Sequence, residues 1–322
     1  MFPDALYSYD YVLLAVILLA AMLVYFRLAI RYRIIDKPNE RSSHFKPVIR
    51  GGGIIFPITI LLYFLLNAML YPWFALAVLA SGAVSFVDDI RSQPRMLRFG
   101  VHAFAAALVL YEANAYSLSI WLIIPAFIFV VGMINAFNFM DGINGITGFY
   151  TLAVLFPLMV TETELTNLEL QAFVGVALLI FLIFNARKKA KCFAGDVGSV
   201  TIAVIICFLL VQRIVTTDDY KYLGFLSVYV VETGLTIIQR WRMGEKILEA
   251  HRRHMYQVMS NEMGWPHLLV AAIYAAAQLG INMFLINANP GVVGLVILFA
   301  VLVLLYILIK VTLLKRVAAK AL

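Results

Sequence analysis

Charge is what this chain has least of. Only 13% of its 322 residues are Asp, Glu, Lys or Arg, about half the share of an ordinary soluble domain. No polar stretch is long enough to form a separate soluble unit, and the longest lies around 239–266. The chain therefore reads as a single domain over 1–322. Cysteine is almost missing too. Cys192 sits in a basic loop and Cys207 in an apolar run, at no spacing that suggests a metal site or a disulfide. Internal repeats and low-complexity segments are lacking. No basic region precedes the first apolar run, Tyr11–Ile30. Its lead is acidic (Asp4, Asp10) and its basic residues (Arg27, Arg31, Arg33) follow. That order argues against a signal peptide and predicts a retained helix with its N-terminus outside.

What the chain does have is hydrocarbon. It is 63% hydrophobic, with a mean hydropathy of +0.93. A spanning helix needs about twenty apolar residues. Runs at 11–30, 52–70, 72–87, 99–113, 118–137, 147–161, 170–186, 199–215, 222–238, 267–286 and 291–312 predict an all-α, polytopic membrane protein of about eleven transmembrane helices. Tyr71-Pro72 and Asn289-Pro290-Gly291 read as tight turns between spans. With the N-terminus outside and the C-terminus inside, loops 31–51, 88–98, 138–146, 187–198 and 239–266 lie inside. With the helix ends beside them and the C-terminal tail, they hold all of the 25 Lys and Arg except Arg213 and Lys221. The opposite loops, 111–117, 161–169 and 216–221, are acidic or neutral. This sorting follows the positive-inside rule. It accounts for the net charge of +7, so no nucleic-acid partner is expected.

Five polar islands break the apolar runs. They are RSSHFKPVIRGGG (41–53), VDDIRSQPR (87–95), NAFNFMDGINGI (135–146), ARKKAKCFAGDVGS (186–199) and EAHRRHM (249–255). All fall on the predicted inner side, where a membrane protein meets water and ionic substrates. Asp88-Asp89 is either a cation site, since Mg²⁺ takes one or two carboxylates plus phosphate oxygens, or an interfacial pair neutralised by Arg91, Arg95 and Arg98. Asn135, Asn138 and Asp141 share a helix face at i, i+3 and i+6, ahead of Gly142, Gly145 and Gly148. That face serves a ligand or packs another helix. Asp196, between Gly195 and Gly198, suits a metal ligand at a helix mouth, with backbone N–H groups for phosphate. The preceding Arg187, Lys188, Lys189 and Lys191 read as an ordinary membrane anchor. His251 and His254, flanked by Arg252 and Arg253, form a cationic patch for phosphates or a solvated basic loop. No zincin motif surrounds them. Gly51-Gly52-Gly53 after Arg50 allows close packing or a phosphate cradle. Glu232 is an intramembrane acid, functional or paired with an arginine of the next loop.

Taken in this order, the islands resemble the polyprenyl-phosphate sugar-1-phosphate transferases, glycosyltransferase family 4. The resemblance runs from about Asp36 to Gln257. Its most specific pieces are Asp88-Asp89, NAFNFMDGINGI, GDVGS and the histidine loop. The stretch DKPNERSSHFKPVIRGGG (36–53) is similar to the subgroup that starts O-antigen and related bacterial surface polysaccharides from UDP-N-acetylhexosamines. The resemblance implies transfer of a sugar-1-phosphate from a UDP-sugar to undecaprenyl phosphate, with release of UMP. It also implies Mg²⁺, a place in the bacterial inner membrane with the active site on the cytoplasmic face, and a homodimer as a possible assembly. It makes Asp88, Asp89, Asp141, His251 and His254 catalytic. Arg50, Gly51, Asn135, Asn138, Asn144, Arg252 and Arg253 bind substrate, and Asp89 and Asp196 hold the metal. The sequence departs from the family pattern twice. Asn144 stands where the second acid of DGxDG is expected, and the histidine loop is His-Arg-Arg-His. A phosphate monoester is mostly dianionic at neutral pH, so a general base at Asp88 is expected to matter less than the metal ligands. A transporter is the main alternative, because buried acids and glycine-broken helices also mark transport sites. Transport sites lie near the bilayer midplane, whereas these polar groups lie at one interface. A scaffold protein leaves the clustered acids unexplained. A groove between helices, open sideways, is the expected route for the lipid.

Overall fold

The computed structural model describes residues 8–36, 38, 47–246 and 252–321. The helices are α1 (Ser8–Arg31), α2 (Ile55–Leu66), α3 (Pro72–Ile90), α4 (Arg95–Glu112), α5 (Ile120–Met140), α6 (Ile146–Thr161), α7 (Leu165–Asn185), α8 (Gly195–Thr217), α9 (Ser227–Arg242), α10 (Met255–Gln257), α11 (His267–Ala288) and α12 (Gly291–Ala321). A wider π-turn over Val258–Glu262 continues α10. Two short strands, β1 (Ile35–Asp36) and β2 (Val48–Ile49), pair antiparallel with Ile35 opposite Ile49. Eight helical segments are long and apolar enough to cross a membrane, and the α2 and α6 segments are shorter apolar helices. The all-α polytopic architecture is therefore the one expected.

The boundaries follow local chemistry. Tyr71 takes a left-handed conformation (φ 56°) and Pro72 opens α3, where its missing N–H costs nothing. Asn289 (φ 40°) ends α11 in the same way. Helix α3 extends to Ile90 rather than stopping at 87, so Asp88 and Asp89 lie in its last turn. Helix α12 runs to Ala321, well past the apolar run.

Helix α8 is the axis of the bundle. Every residue from Val197 to Val211 is buried, as its all-round apolar sequence requires. Phe208 stacks on Phe74 of α3 at 4.2 Å and meets Tyr71 edge-on at 5.2 Å. The helices α1 and α12 instead turn rows of Leu, Val and Ile outward. Several interior polar groups pair with one another, because hydrocarbon offers no water to replace a missing partner. Tyr150 stacks on Tyr229 at 3.5 Å and donates to Gln278 at 2.7 Å. Gln278 donates to the Gly224 carbonyl and to Asn282, and Asn282 to the Ala153 carbonyl. This network ties α6 and α11 to the turn that leads into α9. The two cations on the predicted outer side are also paired, Arg213 with Glu162 at 3.1 Å and Lys221 with Asp219 at 2.7 Å. The turns following α1, α3, α5 and α7 converge at one end of the bundle, through the contacts described next.

Candidate active site

Glycine lets two backbones meet where the site is built. Gly52 N–H donates to the Phe193 carbonyl at 2.8 Å, and Gly53 N–H to the Ala194 carbonyl at 2.9 Å. A Cβ on Gly53 would lie 2.8 Å from both the Ala194 oxygen and the Gly198 nitrogen, and closer still to the Gly198 Cα. The glycine run is thus the close-packing solution and not a phosphate cradle, since the Gly52 and Gly53 N–H groups are spent on these carbonyls. Gly51 (φ +75°) is packed under Tyr25, whose hydroxyl would be 2.6 Å from an added Cβ. Tyr25 also donates to the Arg50 carbonyl at 2.5 Å. This packing confines Gly51 and gives it a shaping role at the substrate site. Cys192 lies in the same interlock, beside Ile49. Burial, and then the charge of Asp141, push its thiol up to about 12, which leaves it unreactive.

The carboxylates arrive from two helix ends. Asp89 accepts from Arg50 Nε at 2.7 Å, from Asp196 N–H at 2.9 Å and from Val197 N–H at 3.0 Å. From another helix it does what an N-cap residue does for α8, and its side chain is fully buried. Oδ1 thus accepts two hydrogen bonds and Oδ2 one, which ties Asp89 to Arg50 and to the start of α8. Asp88 and Asp196 are the pair that meets. Their carboxyls come within hydrogen-bonding reach of each other. Arg98 Nη1 lies 3.1 Å from one and 3.6 Å from the other. Arg50 Nη2 reaches Asp196 at 3.4 Å. Burial alone lowers the pKa of Arg50, but Asp89 and Asp196 more than reverse this and hold it charged.

A cavity of about 250 Å³ opens beside these groups, lined by Arg50, Asn138, Asp141, Asn144, Asp196 and Gln257 among others. The anticipated residues divide here. Asn138 lines the cavity and donates to Ser199 at 3.3 Å. Asn135 turns back to the Val131 carbonyl of its own helix. Asn144 lines the cavity through a structural tie, donating to the Arg187 carbonyl at 2.8 Å. Asn185 makes the matching tie, accepting from Gly145 N–H and donating to the Cys192 carbonyl. Gln257 and His267 also line the cavity. None of these last three lies in a motif that singles it out, though the asparagine ending an apolar run at 185 is a polar residue without a stated partner in the sequence.

Residues 71–214 match the model of glycosyl transferase family 4. The span covers Asp88, Asp89, Asp141 and Asp196. The chain is 23% identical over 304 residues to an undecaprenyl-phosphate alpha-N-acetylglucosaminyl 1-phosphate transferase of Yersinia pestis, covering 86% of this chain and 80% of that protein. It is 24% identical over 263 residues to a phospho-N-acetylmuramoyl-pentapeptide-transferase of Fervidobacterium nodosum, covering 73% and 81%. It is 27% identical over 211 residues to the same enzyme of Thermotoga maritima, covering 58% and 67%. The chain is thus similar to sugar-1-phosphate transferases that act on a polyprenyl phosphate, along most of its length.

The histidine loop is placed differently from the expectation. His251 lies outside the described residues. His254 is buried, with its Nδ1 3.7 Å from Glu232 Oε1 and its ring beside those of Phe139 and Tyr256. Arg253 pairs with Glu245, which also accepts from Arg240 at 3.1 Å. Arg252 is half-buried. None of Arg252, Arg253 and His254 lines the cavity; Gln257, one turn on, does.

Asp141 ends α5 and accepts from Thr147 Oγ1 at 2.5 Å. Burial pushes its carboxyl up to about 6, Thr147 pulls it down, and the charge of Asp89 pushes it up again. Its folded value thus lies above the unfolded one, near 3.9. The stability this shift contributes is present below pH 4 and is lost as pH rises through about 6. Asp141→Asn, which stays neutral, is therefore expected to be more stable than the native protein above pH 6, by on the order of 1–3 kcal/mol. The gap should close towards pH 4, and activity should be lost throughout. Melting temperatures of detergent-solubilised protein at pH 4.5 and 8 check this; equal shifts at both pH values would count against an ionised Asp141.

Proposed function

We propose that the chain transfers an N-acetylhexosamine-1-phosphate from a UDP-sugar to undecaprenyl phosphate, releasing UMP, as the first step of a bacterial surface polysaccharide. The observation that carries this reading is the meeting of Asp88 and Asp196 under Arg98 and Arg50 at the mouth of a polar cavity. Two acids and two guanidinium groups at one point suit a reaction that gathers many phosphate oxygens, where positioning and charge neutralisation are most of the problem. The family match and the relatives' activities support it. The stretch at 36–53 supports the surface-polysaccharide branch.

The acids fit Mg²⁺. Among the described residues no three His, Cys, Asp or Glu side chains surround one point, so the protein offers two carboxylates. That is the usual share for Mg²⁺ when substrate phosphates and water complete the shell. Asp88 and Asp196 would hold the ion, which would supply charge neutralisation to the diphosphate. Asp89 would keep α8 and Arg50 in place beneath them. A lipid phosphate oxygen attacks the sugar-bearing phosphorus, the bond to the bridging oxygen breaks, and that oxygen leaves on UMP with the electron pair. Arg50 and Arg98 would offset the charge that develops. The cavity is smaller than the roughly 300–1,000 Å³ that encloses a drug-sized ligand, so it would take the diphosphate and sugar and leave uridine and lipid outside. The site would face the cytoplasm, in a multi-pass protein of the bacterial inner membrane.

Purified protein in lipid nanodiscs, given undecaprenyl phosphate and a panel of UDP-N-acetylhexosamines, is expected to release UMP with at least one sugar, only with Mg²⁺, and to stop on addition of EDTA. Release from none of the panel would overturn the reading, and release in EDTA would overturn the role given to Asp88 and Asp196.

A further inference from the structure

Outside the family match, a second set of charged groups lies buried between α9, α11 and α12. Glu232 is 1% exposed. Its Oε1 accepts the N–H of Met255 at 2.6 Å and that of Tyr256 at 3.4 Å. Its other oxygen accepts from the Tyr274 hydroxyl of α11. No arginine of the following loop reaches it by any ion pair among the described residues. His254 Nδ1 lies 3.7 Å from Oε1, and Lys310 of α12 reaches Thr236, one turn beyond Glu232. Lys310 is itself buried and donates to Tyr306 at 2.9 Å and Thr236 at 3.4 Å. Removing an acid and a lysine from water costs several kcal/mol per ion in a protein interior. A purely structural acceptor does not require a charge.

The turn that Glu232 holds leads straight to the cavity. His254 N–H donates to Gln257 Oε1 at 3.2 Å, and Gln257 lines the cavity. Tyr256 donates to the Phe139 carbonyl at 2.9 Å, one turn before Asp141. It lies so close to Gly142 that a Cβ there would overlap its ring. An unbroken run of contacts thus links Glu232 to the turn 254–257, and that turn to the floor that carries Asp141.

We propose that Glu232 is a positioning residue, which pins the turn 254–257 and so sets the part of the cavity wall formed by Gln257. The catalytic side of this inference rests on the transferase reading; the anchoring side does not.

Full-length protein in nanodiscs tests both. Amide exchange over 252–263 is followed by mass spectrometry, and UMP release is followed as kcat and KM. Glu232→Leu leaves two N–H groups without an acceptor. It is expected to speed exchange of that segment about tenfold or more, with kcat down roughly 30-fold and KM for the lipid phosphate within about twofold. Glu232→Gln keeps an acceptor and is expected to stay within about fivefold of native on both counts. Met255→Pro removes one of the two donors and leaves Glu232 itself in place; the Met255 side chain, which packs against the core, is controlled for by Met255→Leu. Proline is accepted at the first position of a helix, and His254 has the extended backbone (ψ 145°) that proline requires before it. It is expected to fall between the two, with Met255→Leu unchanged, and it keeps the test open should Glu232→Leu not fold. Native exchange in both Glu232→Leu and Met255→Pro would overturn the anchor. Altered exchange with native kcat would overturn its bearing on the site. If the native protein releases no UMP, the transferase reading falls and exchange alone decides the anchor.

Discussion

Gly53→Ala is expected to leave almost no activity, and in most preparations almost no folded protein. The new methyl meets only backbone, with the Ala194 oxygen and Gly198 nitrogen at 2.8 Å, so no side chain can swing away. Overpacking in a core costs about 1–3 kcal/mol when side chains can adjust, and more when they cannot. Relief here requires parting the segment before α2 from the start of α8, which breaks the Gly52 and Gly53 hydrogen bonds. It also moves Arg50 and Asp196 relative to each other. A loss of about a thousandfold in UMP release follows from a shift of roughly an ångström at the reacting groups together with the stability cost. Gly132→Ala is the control, because nothing lies within 4 Å of that position. It should match or slightly exceed the native melting temperature, by the helix preference for alanine. A fully active Gly53→Ala protein would show that the two backbones are not pressed together.

The second large effect separates two neighbours that the sequence presents as equals. Asp89→Ala strands the Asp196 and Val197 N–H groups and leaves Arg50 without its closest partner. Breaking a buried ion pair costs about 3–5 kcal/mol, so the protein is expected to lose both stability and activity. Asp88→Asn keeps an acceptor oxygen for Gln93 N–H and gives up only the half-exposed contact with Arg98. It is expected to melt within a few degrees of native, yet to lose about a hundredfold or more in turnover, with a higher Mg²⁺ requirement. Reasoning from phosphate acidity alone makes Asp88 the more expendable acid; the geometry reverses this. Thermal melts together with Mg²⁺ titrations of turnover decide it. Two variants alike in melting temperature would sink the distinction.

The large features of the fold were legible because hydrocarbon imposes them. The apolar runs, the turns at Tyr71-Pro72 and Asn289-Pro290, and the opening of α8 at Gly195 all lie where composition puts them. The site was legible as a set of islands, and Arg50, Asp88, Asp89, Asp141 and Asp196 do come together. Individual roles were not legible, since they depend on which atom faces which. Asp88 and Asp89 are adjacent in sequence but point to different partners from the same last turn of one helix. Asn135 has the residue type and spacing of a ligand-binding side chain, yet spends its donor on its own helix. The triple glycine was equally consistent with phosphate or with backbone, and only the approach of α8 decides. Gln257 and Asn185 carry no local signal, because they matter through chain segments far away in sequence.

Helix α12 turns most of its surface outward and would pass, by packing alone, for a dispensable outer stave. Its lysine makes it something else. A protein shortened at the Asn289-Pro290 turn would keep every residue of the family match and every carboxylate around the cavity, but would lose the buried lysine that donates to Thr236, one turn beyond Glu232. The final segment of the chain thus belongs by its lysine to the helix that carries Glu232 while belonging sterically to the lipid, and trimming it to a minimal core would remove more than bulk.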